Sequence, residues 1–492
     1  MEKIDCKENE FKSNNVLTNV IWRFAERCGA QIIQFIVSII LARMLAPETY
    51  GTISLIMIFT TIFQVFVDSG LGNALIQKKD ADDLDFSTVF YTNVVFCIIL
   101  YIIIFLISPI IANFYNNQHL IVLIRILGIT VLVSGIKNIQ QAYVSKKLMF
   151  KKFFWATIIG TIFAAIVGVT MAVNGFGVWA LVAQQLTNLI VDTIILWITV
   201  KWRPKLQFSF QRLKGLFSYG WKLLISALLD TFYNNICQLI IGKKYSSADL
   251  AYYNKGKQFP DLIINNVNTA VDSVLLPTMS NVQDDKEKVK NMTRKSIKVS
   301  VFIMAPLMMG LAFTSNNVVE LLLTSKWLPV VPFLCIYCIA NMFYPIHTSN
   351  LNAIKAMGRS DLFLKLEIIK KIVGILLLLI TMNISVIAMA YSLLITSFLS
   401  QIINSWPNKK LLNYSYIDQM KDILPSIILA VIMGGIINVF NLLNLSIILK
   451  LMIQVIVGGI IYITGAKLLN LEGFNYLLNM LKEIIKKVNK EK

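Results

Sequence analysis

The sequence predicts an all-α integral membrane protein with about fourteen transmembrane helices. Apolar stretches of roughly 20 residues, long enough to cross a bilayer, follow one another along most of the chain. Hydrophobic residues make up 56% of the chain and charged residues 15%, so a soluble fold would leave much apolar surface exposed. Since a segment inside lipid must pair its own backbone groups, these stretches are expected to be helices.

Each apolar stretch is predicted to be one transmembrane span. In chain order the spans are 18–42, 51–76, 88–112, 119–143, 153–173, 176–200, 219–242, 250–276, 296–315, 330–353, 363–382, 384–405, 423–443 and 446–467.

Basic residues lie mainly in alternate loops, which predicts the orientation. The remaining loops hold only Arg43, Lys243, Lys244 and Lys326. By the positive-inside rule both termini are cytoplasmic. The net charge of +19 is then explained by orientation and by contact with anionic lipid heads, and a nucleic-acid partner is not expected.

The spans group into two lobes. The segment 201–218 is expected to be an amphipathic cytoplasmic linker between an N-lobe (1–200, spans 1–6) and a C-lobe (219–410, spans 7–12). Residues 40–51 resemble residues 240–251, and six spans per lobe would relate the lobes by a parallel pseudo-repeat around a central cavity. Two extra spans (411–470) and a basic amphipathic cytoplasmic tail (471–492) complete the chain.

The sequence offers no catalytic or metal-binding constellation. Cys335-x-x-Cys338 lies in an apolar span without a second pair, and His119 and His347 are the only histidines. No Gly-rich phosphate loop and no Ser/His/Asp set are present, so an enzyme is not expected. No cofactor is expected either, although a coupling ion, H⁺ or Na⁺, stays open. The paired acids Asp82-Asp83 are expected to be solvated.

Polar residues inside the spans are costly, so their positions predict where the function lies. They recur at helical spacing on spans 1, 2, 7 and 8. The candidates for substrate binding in a cavity are Arg23, Arg27, Gln31, Gln34, Gln64, Lys222, Asp230, Asn234, Gln238, Lys257, Asp261 and Asn265. The candidates for ion coupling are Glu26, Asp68, Asp230 and Asp272. The alternatives are hydrogen bonding between helices and snorkelling of the bases to lipid phosphates.

Other intramembrane charges have simpler expected roles. Glu26 can pair with Arg23 at three residues' spacing. Arg125 and Lys137 in span 4 are expected to snorkel in opposite directions, and Asp192 in span 6 needs a partner that the sequence does not identify.

Two motifs near the amino terminus resemble the opening signature of Wzx-type polysaccharide exporters. They are Leu41-Ala-Arg-Met-Leu-Ala-Pro-Glu-Thr-Tyr-Gly51 and Phe66-Val-Asp-Ser-Gly-Leu-Gly-Asn-Ala-Leu-Ile-Gln77. Leu276-Pro-Thr-Met-Ser280 and Ala356-Met-Gly-Arg-Ser-Asp361 add weaker similarity. The resemblance implies membership of the multidrug/oligosaccharidyl-lipid/polysaccharide (MOP) flippase superfamily, with two six-helix lobes and two extra helices.

The resemblance also implies a function. Wzx-type proteins are thought to flip undecaprenyl-pyrophosphate-linked oligosaccharides from the inner to the outer leaflet, for cell-surface polysaccharide synthesis. The resemblance therefore implies a bacterial cell (inner/plasma) membrane, and the two lobes are expected to work by alternating access. The expected partners are this lipid-linked substrate, membrane lipids, and a polysaccharide polymerase with glycosyltransferases. The alternatives are an ion-coupled multidrug exporter and a lipid II-type flippase. Arg23 and Arg27 are the nearest analogues of the basic residues on helix 1 of such flippases.

Overall fold

Every regular element in the described part of the chain is a helix. The computed structural model describes the backbone of residues 2–68 and 71–490, and the side chains of 22–68, 71–217, 220–269 and 271–480 with residues 482, 483 and 486. Within these residues, 12 helical segments are long and apolar enough to cross a membrane. The predicted all-α membrane fold is therefore confirmed.

Two further expected spans, 250–276 and 363–382, are also helical but are not among those 12 segments. The count of fourteen therefore stays a prediction. The chain divides into two compact units, Met1–Ala251 and Tyr252–Lys492.

The first unit contains eight described helices and the first turn of a ninth. They are α1 (Glu2–Met44), α2 (Pro47–Asp68), α3 (Leu71–Gln77), α4 (Asp83–Phe114), α5 (His119–Lys146), α6 (Phe150–Val173), α7 (Val178–Thr199) and α8 (Phe210–Lys244). Helix α8, which the sequence assigns to the C-lobe, packs on α2, α3 and α4 of this unit. The lobe boundaries expected from the internal repeat stay a prediction.

The second unit contains the rest of α9 and eight further α-helices. They are α9 (Ser247–Ser280), α10 (Lys286–Leu323), α11 (Val331–Met342), α12 (Tyr344–Ala356), α13 (Ser360–Thr381), α14 (Val386–Leu411), α15 (Tyr416–Val439), α16 (Ile447–Leu468) and α17 (Glu472–Lys490). The expected span 330–353 is broken between α11 and α12 at Phe343. Pro345, in the first turn of α12, has no N–H to continue the ladder of α11.

The segment 201–218 is only partly helical, because α8 begins at Phe210. Before that point its backbone is tied to α4: Lys205 N donates to Ser87 Oγ (3.0 Å) and Ser209 N to Thr88 Oγ1 (3.1 Å). The buried Trp202 packs on Phe86. The linker is therefore anchored to the first unit by hydrogen bonds and aromatic packing.

The acids Asp82 and Asp83, which precede and begin α4, are exposed as expected, but they also form ion pairs that the sequence did not predict. Asp85 is fully buried and binds both Lys78 (2.6 Å) and Arg212 (3.0 Å). Arg212 also binds Asp82 (3.0 Å), and Lys205 binds Asp83 (2.7 Å). The pKa of Asp82 is lowered, mainly because its carboxylate accepts the backbone N–H of Asp85, with Arg212 adding to the effect.

Two glycines of the signature motifs permit close approaches that a side chain would block. A Cβ at Gly51 would lie 1.6 Å from the backbone oxygen of Ser247, where α9 begins. A Cβ at Gly72 would lie 2.5 Å from Oδ1 of Asn138 on α5. These residues therefore let neighbouring helices pack closely, and the second brings the Asn138 amide to the end of α2.

Candidate functional site

The polar face of α1 consists of a neutralised pair and an unpaired base. Nη1 of Arg23 lies 2.6 Å from Oε2 of Glu26, which is 8% exposed and also accepts from Thr157 of α6 (3.2 Å). The Arg23 guanidinium stacks on Phe153 of α6 at 5.1 Å. The pairing expected from the sequence is confirmed, and it fastens α1 to α6.

Arg27 has no such partner. It is exposed and makes no hydrogen bond or ion pair with a residue that the structure describes. Gln31 is half-buried and Gln34 is exposed, at the four- and seven-residue spacing that places them on the same helical face. This part of α1 therefore presents one uncompensated cation beside two amides.

The end of α2 carries a carboxylate held by amides. Asp68 accepts two hydrogen bonds from Nε2 of Gln64 (3.1 Å each) and one from Nδ2 of Asn138 (3.1 Å). The sequence identified Gln64 and Asp68 but not Asn138. Asn138 reaches Asp68 because Gly72 has no Cβ, which leaves room for the amide beside it. A glycine at this position of the signature motif was the only hint of a close neighbour in the sequence.

A buried ion pair joins α5 to α7 and corrects the expectation for Lys137. Its Nζ lies 2.5 Å from Oδ2 of Asp192, and the two side chains are 14% and 10% exposed. Lys137 therefore does not snorkel, and Asp192 has the partner it needed. The pair lies beside the Asp68 site, because Asn138 follows Lys137 and Asp68 lies within Coulombic range of Lys137.

Arg125 also binds within the first unit instead of snorkelling outward. Its Nε donates to Oγ of Ser108 (3.0 Å), and its guanidinium lies 3.8 Å from the ring centroid of Phe105. Both contacts are to α4, so this base stabilises the packing of α4 and α5.

Most side chains on the predicted polar face of helix α8 are exposed. Lys222, Asp230 and Asn234 are exposed, whereas Gln238 is half-buried. Gln238 Nε2 donates to Oδ1 of Asn235 at 3.3 Å, so the Gln238 amide is hydrogen-bonded within its own helix. Lys222 makes no hydrogen bond or ion pair to the described residues, so α8 adds a second uncompensated base to the first unit.

In the second unit, part of the polar face of α9 is hydrogen-bonded to α12. Asn268 accepts from Oγ1 of Thr348 (2.5 Å), and Asp272 accepts from Nδ2 of Asn352 (2.7 Å). Nearer the start of the helix, Lys257 lies 4.0 Å from Asp261. Only Asn265 among the α9 candidates is exposed and without a bond to the residues described.

The second unit also contains a buried amide network that the sequence analysis missed. Asn350 of α12 donates to Gln419 of α15 (2.8 Å) and to Ser405 of α14 (3.2 Å), and Asn408 donates to Asn350 Oδ1 (2.6 Å). All four side chains are fully buried. Such bonds hold transmembrane helices together, which is the structural alternative for polar residues.

The cytoplasm-facing end of α10, by the predicted orientation, is bound to α15 and α17. Asp422 lies 2.7 Å from Arg294 and 2.8 Å from Lys298, and Lys298 binds Glu472 at 2.6 Å. Tyr414 donates to Asp422 at 2.8 Å. Here again bases and acids occur in equal number, so the cluster is structural.

No group of three or more metal-ligating side chains occurs among the residues described. Of the predicted site residues in the first unit, five have no partner within the described part of the chain. They are the bases Arg27 and Lys222 and the amides Gln31, Gln34 and Asn234. Guanidinium and ammonium groups bind phosphates, and amides bind hydroxyl groups.

Comparison with known proteins gives a family match and related sequences. Residues 40–332 match the family described as "Polysaccharide biosynthesis protein". The chain is 25% identical over 355 residues to the teichuronic acid biosynthesis protein TuaB of Bacillus subtilis, covering 71% of this chain and 73% of that protein. It is 24% identical over 339 residues to the lipopolysaccharide biosynthesis protein WzxC of Escherichia coli, covering 67% and 68%.

Solved structures share the fold. The lipid II flippase MurJ in an inward closed conformation matches with a TM-score of 0.75 and 16% identity, covering 92% of this chain and 98% of that one. An inward-facing multidrug resistance MATE transporter of the MOP superfamily matches with a TM-score of 0.61 and 14% identity, covering 80% and 98%.

Proposed function

The chain belongs to the polysaccharide biosynthesis protein family, and from that premise we propose that it is a flippase for lipid-linked oligosaccharides. It moves polyprenyl-pyrophosphate-linked repeat units from the inner to the outer leaflet by alternating access. It is a membrane transport protein and not an enzyme. TuaB and WzxC, which are named for teichuronic acid and lipopolysaccharide biosynthesis, support this substrate class.

The observation that carries the proposal is the state of Arg27, which pairs with none of the described residues. Most other intramembrane bases of the first unit have partners in the protein: Arg23 binds Glu26, Lys137 binds Asp192, and Arg125 binds Ser108. Arg27 instead lies exposed beside two glutamines. An uncompensated cation within a membrane protein is costly unless a ligand or water compensates it, and a pyrophosphate is a matching anion.

The physical problem for such a substrate is dehydration. A pyrophosphate or a sugar hydroxyl that enters hydrocarbon loses its water without compensation. Arg27 and Lys222 replace the water around the pyrophosphate, and Gln31, Gln34 and Asn234 replace it around the sugar. The prenyl chain needs no such replacement, because it stays in an apolar environment.

The coupling ion acts, in this proposal, at Asp68. Among the described residues, its carboxylate accepts from the side-chain amides of Gln64 and Asn138 and lies near a lysine already bound to Asp192. Two carboxylates near one ammonium leave one negative charge to be balanced by H⁺ or Na⁺. The other candidates are less suitable: Glu26 is bound to Arg23, and Asp272 accepts from Asn352.

The membrane orientation and the partners complete the proposal. Both termini lie in the cytoplasm, as the distribution of bases predicts, and the membrane is the cell membrane of a bacterium, since TuaB and WzxC are bacterial proteins. The lipid-linked unit is received from glycosyltransferases on the inner side and passed to a polymerase on the outer side.

A multidrug exporter is the principal alternative. The fold is shared with MATE transporters, but at 14% identity that similarity concerns the fold alone. A cation exporter would need an acidic or aromatic site. In the first unit the exposed polar faces of α1 and α8 carry Arg27 and Lys222 against Asp230, which favours an anionic substrate.

Reconstitution tests the substrate class directly. The purified chain in proteoliposomes is offered a polyprenyl-pyrophosphate-linked oligosaccharide, lipid II, or a fluorescent organic cation. We expect transbilayer movement of the first substrate. Movement of the organic cation without movement of the lipid-linked oligosaccharide would replace the flippase by a drug exporter. Movement of lipid II alone would assign the chain to the lipid II branch.

A further inference from the structure

An apolar groove of about 440 Å³ lies within the first unit, on the side of α8 that packs on α2, α3 and α4. Aromatic and aliphatic side chains form most of its wall, among them Phe66, Phe96, Phe217, Trp221 and Leu224. Ten residues of α-helix rise about 15 Å, so the part of α8 from residue 214 to 224 is about 15 Å long. The groove therefore extends from the expected cytoplasmic linker into the start of the membrane span that begins at Gly220.

Two polar side chains in this wall have donors that no described residue satisfies. Lys214 is exposed and makes no hydrogen bond or ion pair with the described residues. Asn93 is 3% exposed, and its Nδ2 is buried without a hydrogen-bond partner. An unsatisfied buried amide is costly, and its presence in the wall of a cavity indicates a missing ligand or water.

The two groups lie at corresponding positions near the beginnings of their helices. Helices α4 and α8 run in the same direction, since Ser209 binds Thr88 near one end and Lys243 binds Phe114 near the other. Asn93 and Lys214 each follow the first of these contacts by five residues. A cationic and a neutral side chain thus line the groove near its linker end, and most of its other lining residues are apolar.

We propose that this groove is the inner-leaflet docking site for the prenyl phosphate part of the lipid-linked substrate. The phosphate binds Lys214 and Asn93, and the single isoprenoid chain lies along Phe217, Trp221 and Leu224. The inference rests on the proposed function for the identity of the chain. It adds a loading position separate from Arg27, where the substrate is held by its lipid end before its head group is moved.

Binding of undecaprenyl phosphate to the purified full-length protein, measured by native mass spectrometry, tests the site. We expect Lys214→Gln to weaken binding about fivefold, as for loss of one base near a lipid phosphate, and to leave binding of uncharged undecaprenol unchanged. Leu224→Trp fills the groove and should weaken both. The matched controls are Lys201→Gln, an exposed base of the same linker, and Ile103→Trp, an exposed residue of α4 outside the groove.

Asn93→Leu separates binding from folding. Because Asn93 Nδ2 has no partner among the described residues, its replacement should leave the melting temperature of the ligand-free protein unchanged or higher, while undecaprenyl phosphate binds more weakly. Equal affinity of undecaprenyl phosphate for wild type, Lys214→Gln and Leu224→Trp would overturn the proposal. Displacement of undecaprenyl phosphate by an equal concentration of phosphatidylglycerol would also overturn it, in favour of a bulk phospholipid site.

The flipping assay distinguishes this inference from the proposed function. If Leu224→Trp flips the lipid-linked oligosaccharide at the wild-type rate, the groove is not a loading site and the flippase assignment stands. If wild type flips no such substrate but the binding series behaves as expected, the proposed function fails and the prenyl phosphate site remains.

Discussion

The Lys137–Asp192 ion pair allows the sharpest test of how the first unit is held together. Its atoms are 2.5 Å apart, and its side chains are only 14% and 10% exposed. Replacing Lys137 by Met leaves Asp192 without its counter-ion in a buried position. Replacing Asp192 by Asn leaves Lys137, which still has Asp68 within Coulombic range.

The two substitutions should therefore differ in size. Removing one partner of a buried pair costs about 3–5 kcal/mol, and we expect Lys137→Met to lie in that range. Asp192→Asn should cost less, because Asp68 partly compensates the remaining ammonium. The double variant Lys137→Met/Asp192→Leu has no unpaired charge at this position and should recover most of the loss, since a buried pair replaced by apolar residues is often neutral.

Thermal unfolding of the purified protein in detergent measures these differences. For a unit of about 250 residues each kcal/mol shifts the melting temperature by about 2–4 °C, so Lys137→Met should lower it by roughly 6–20 °C. Lys79→Met, an exposed base in a loop, is the matched control. Equal, small shifts for all three pair variants would refute the reasoning and return Lys137 to a snorkelling position.

Three further predictions concern topology, a signature glycine and pH. Cysteines introduced at residues 116, 175 and 383 should react with an impermeant thiol reagent in intact cells, whereas cysteines at 149, 207 and 290 should not; the reverse pattern would invert the orientation. Gly72→Ala places a methyl 2.5 Å from Asn138 Oδ1 and should cost about 1–3 kcal/mol of stability, whereas Gly215→Ala, with nothing within 4 Å, should not. The lowered pKa of Asp82 means that its stabilising interactions are complete at neutral pH and are lost only as pH falls below the usual aspartate range. Asp82→Asn should remove this part of the acid sensitivity, and unchanged acid unfolding would show that Asp82 contributes nothing.

Much of the fold was predictable because lipid imposes simple rules on the backbone. Long apolar stretches must be helical, and the structure has helices at all the expected spans. The internal break at Phe343 was not predicted, because hydropathy does not register a change in helix direction. The packing of α8 on α2 and α4 was also not predicted, because it depends on contacts between residues far apart in the chain.

The candidate site was predictable in part. Helical spacing identified Arg23, Glu26 and Arg27 on one face, and the local pairing of the first two followed from their separation. Contacts between helices were invisible: Lys137 with Asp192, and Asp68 with Asn138. A lone lysine and a lone aspartate in different spans each suggest an unknown partner, but only the packing of α5 and α7 identifies it.

The Asp82–Asp83 pair shows that exposed acids can still have ion-pair partners that the sequence does not reveal. In the sequence these acids stand among lysines in a short loop, where solvation is the simplest interpretation. In the structure Lys205 binds Asp83 and Arg212 binds Asp82, although these bases lie about 120 to 130 residues further along the chain. Nothing in the sequence near Asp82 and Asp83 indicated these ion pairs.

The central claim is that Arg27 binds the pyrophosphate, and the flipping rate of Arg27→Ala in proteoliposomes tests it most directly. Losing the base should remove about 2–5 kcal/mol of substrate interaction, which corresponds to at least about a thirtyfold loss of affinity. We expect flipping, and surface polysaccharide in cells, to be abolished while the protein inserts at normal levels. Arg27→Lys should retain part of the rate, and Lys79→Ala should retain all of it. A wild-type rate for Arg27→Ala would contradict the account and assign Arg27 to lipid head groups.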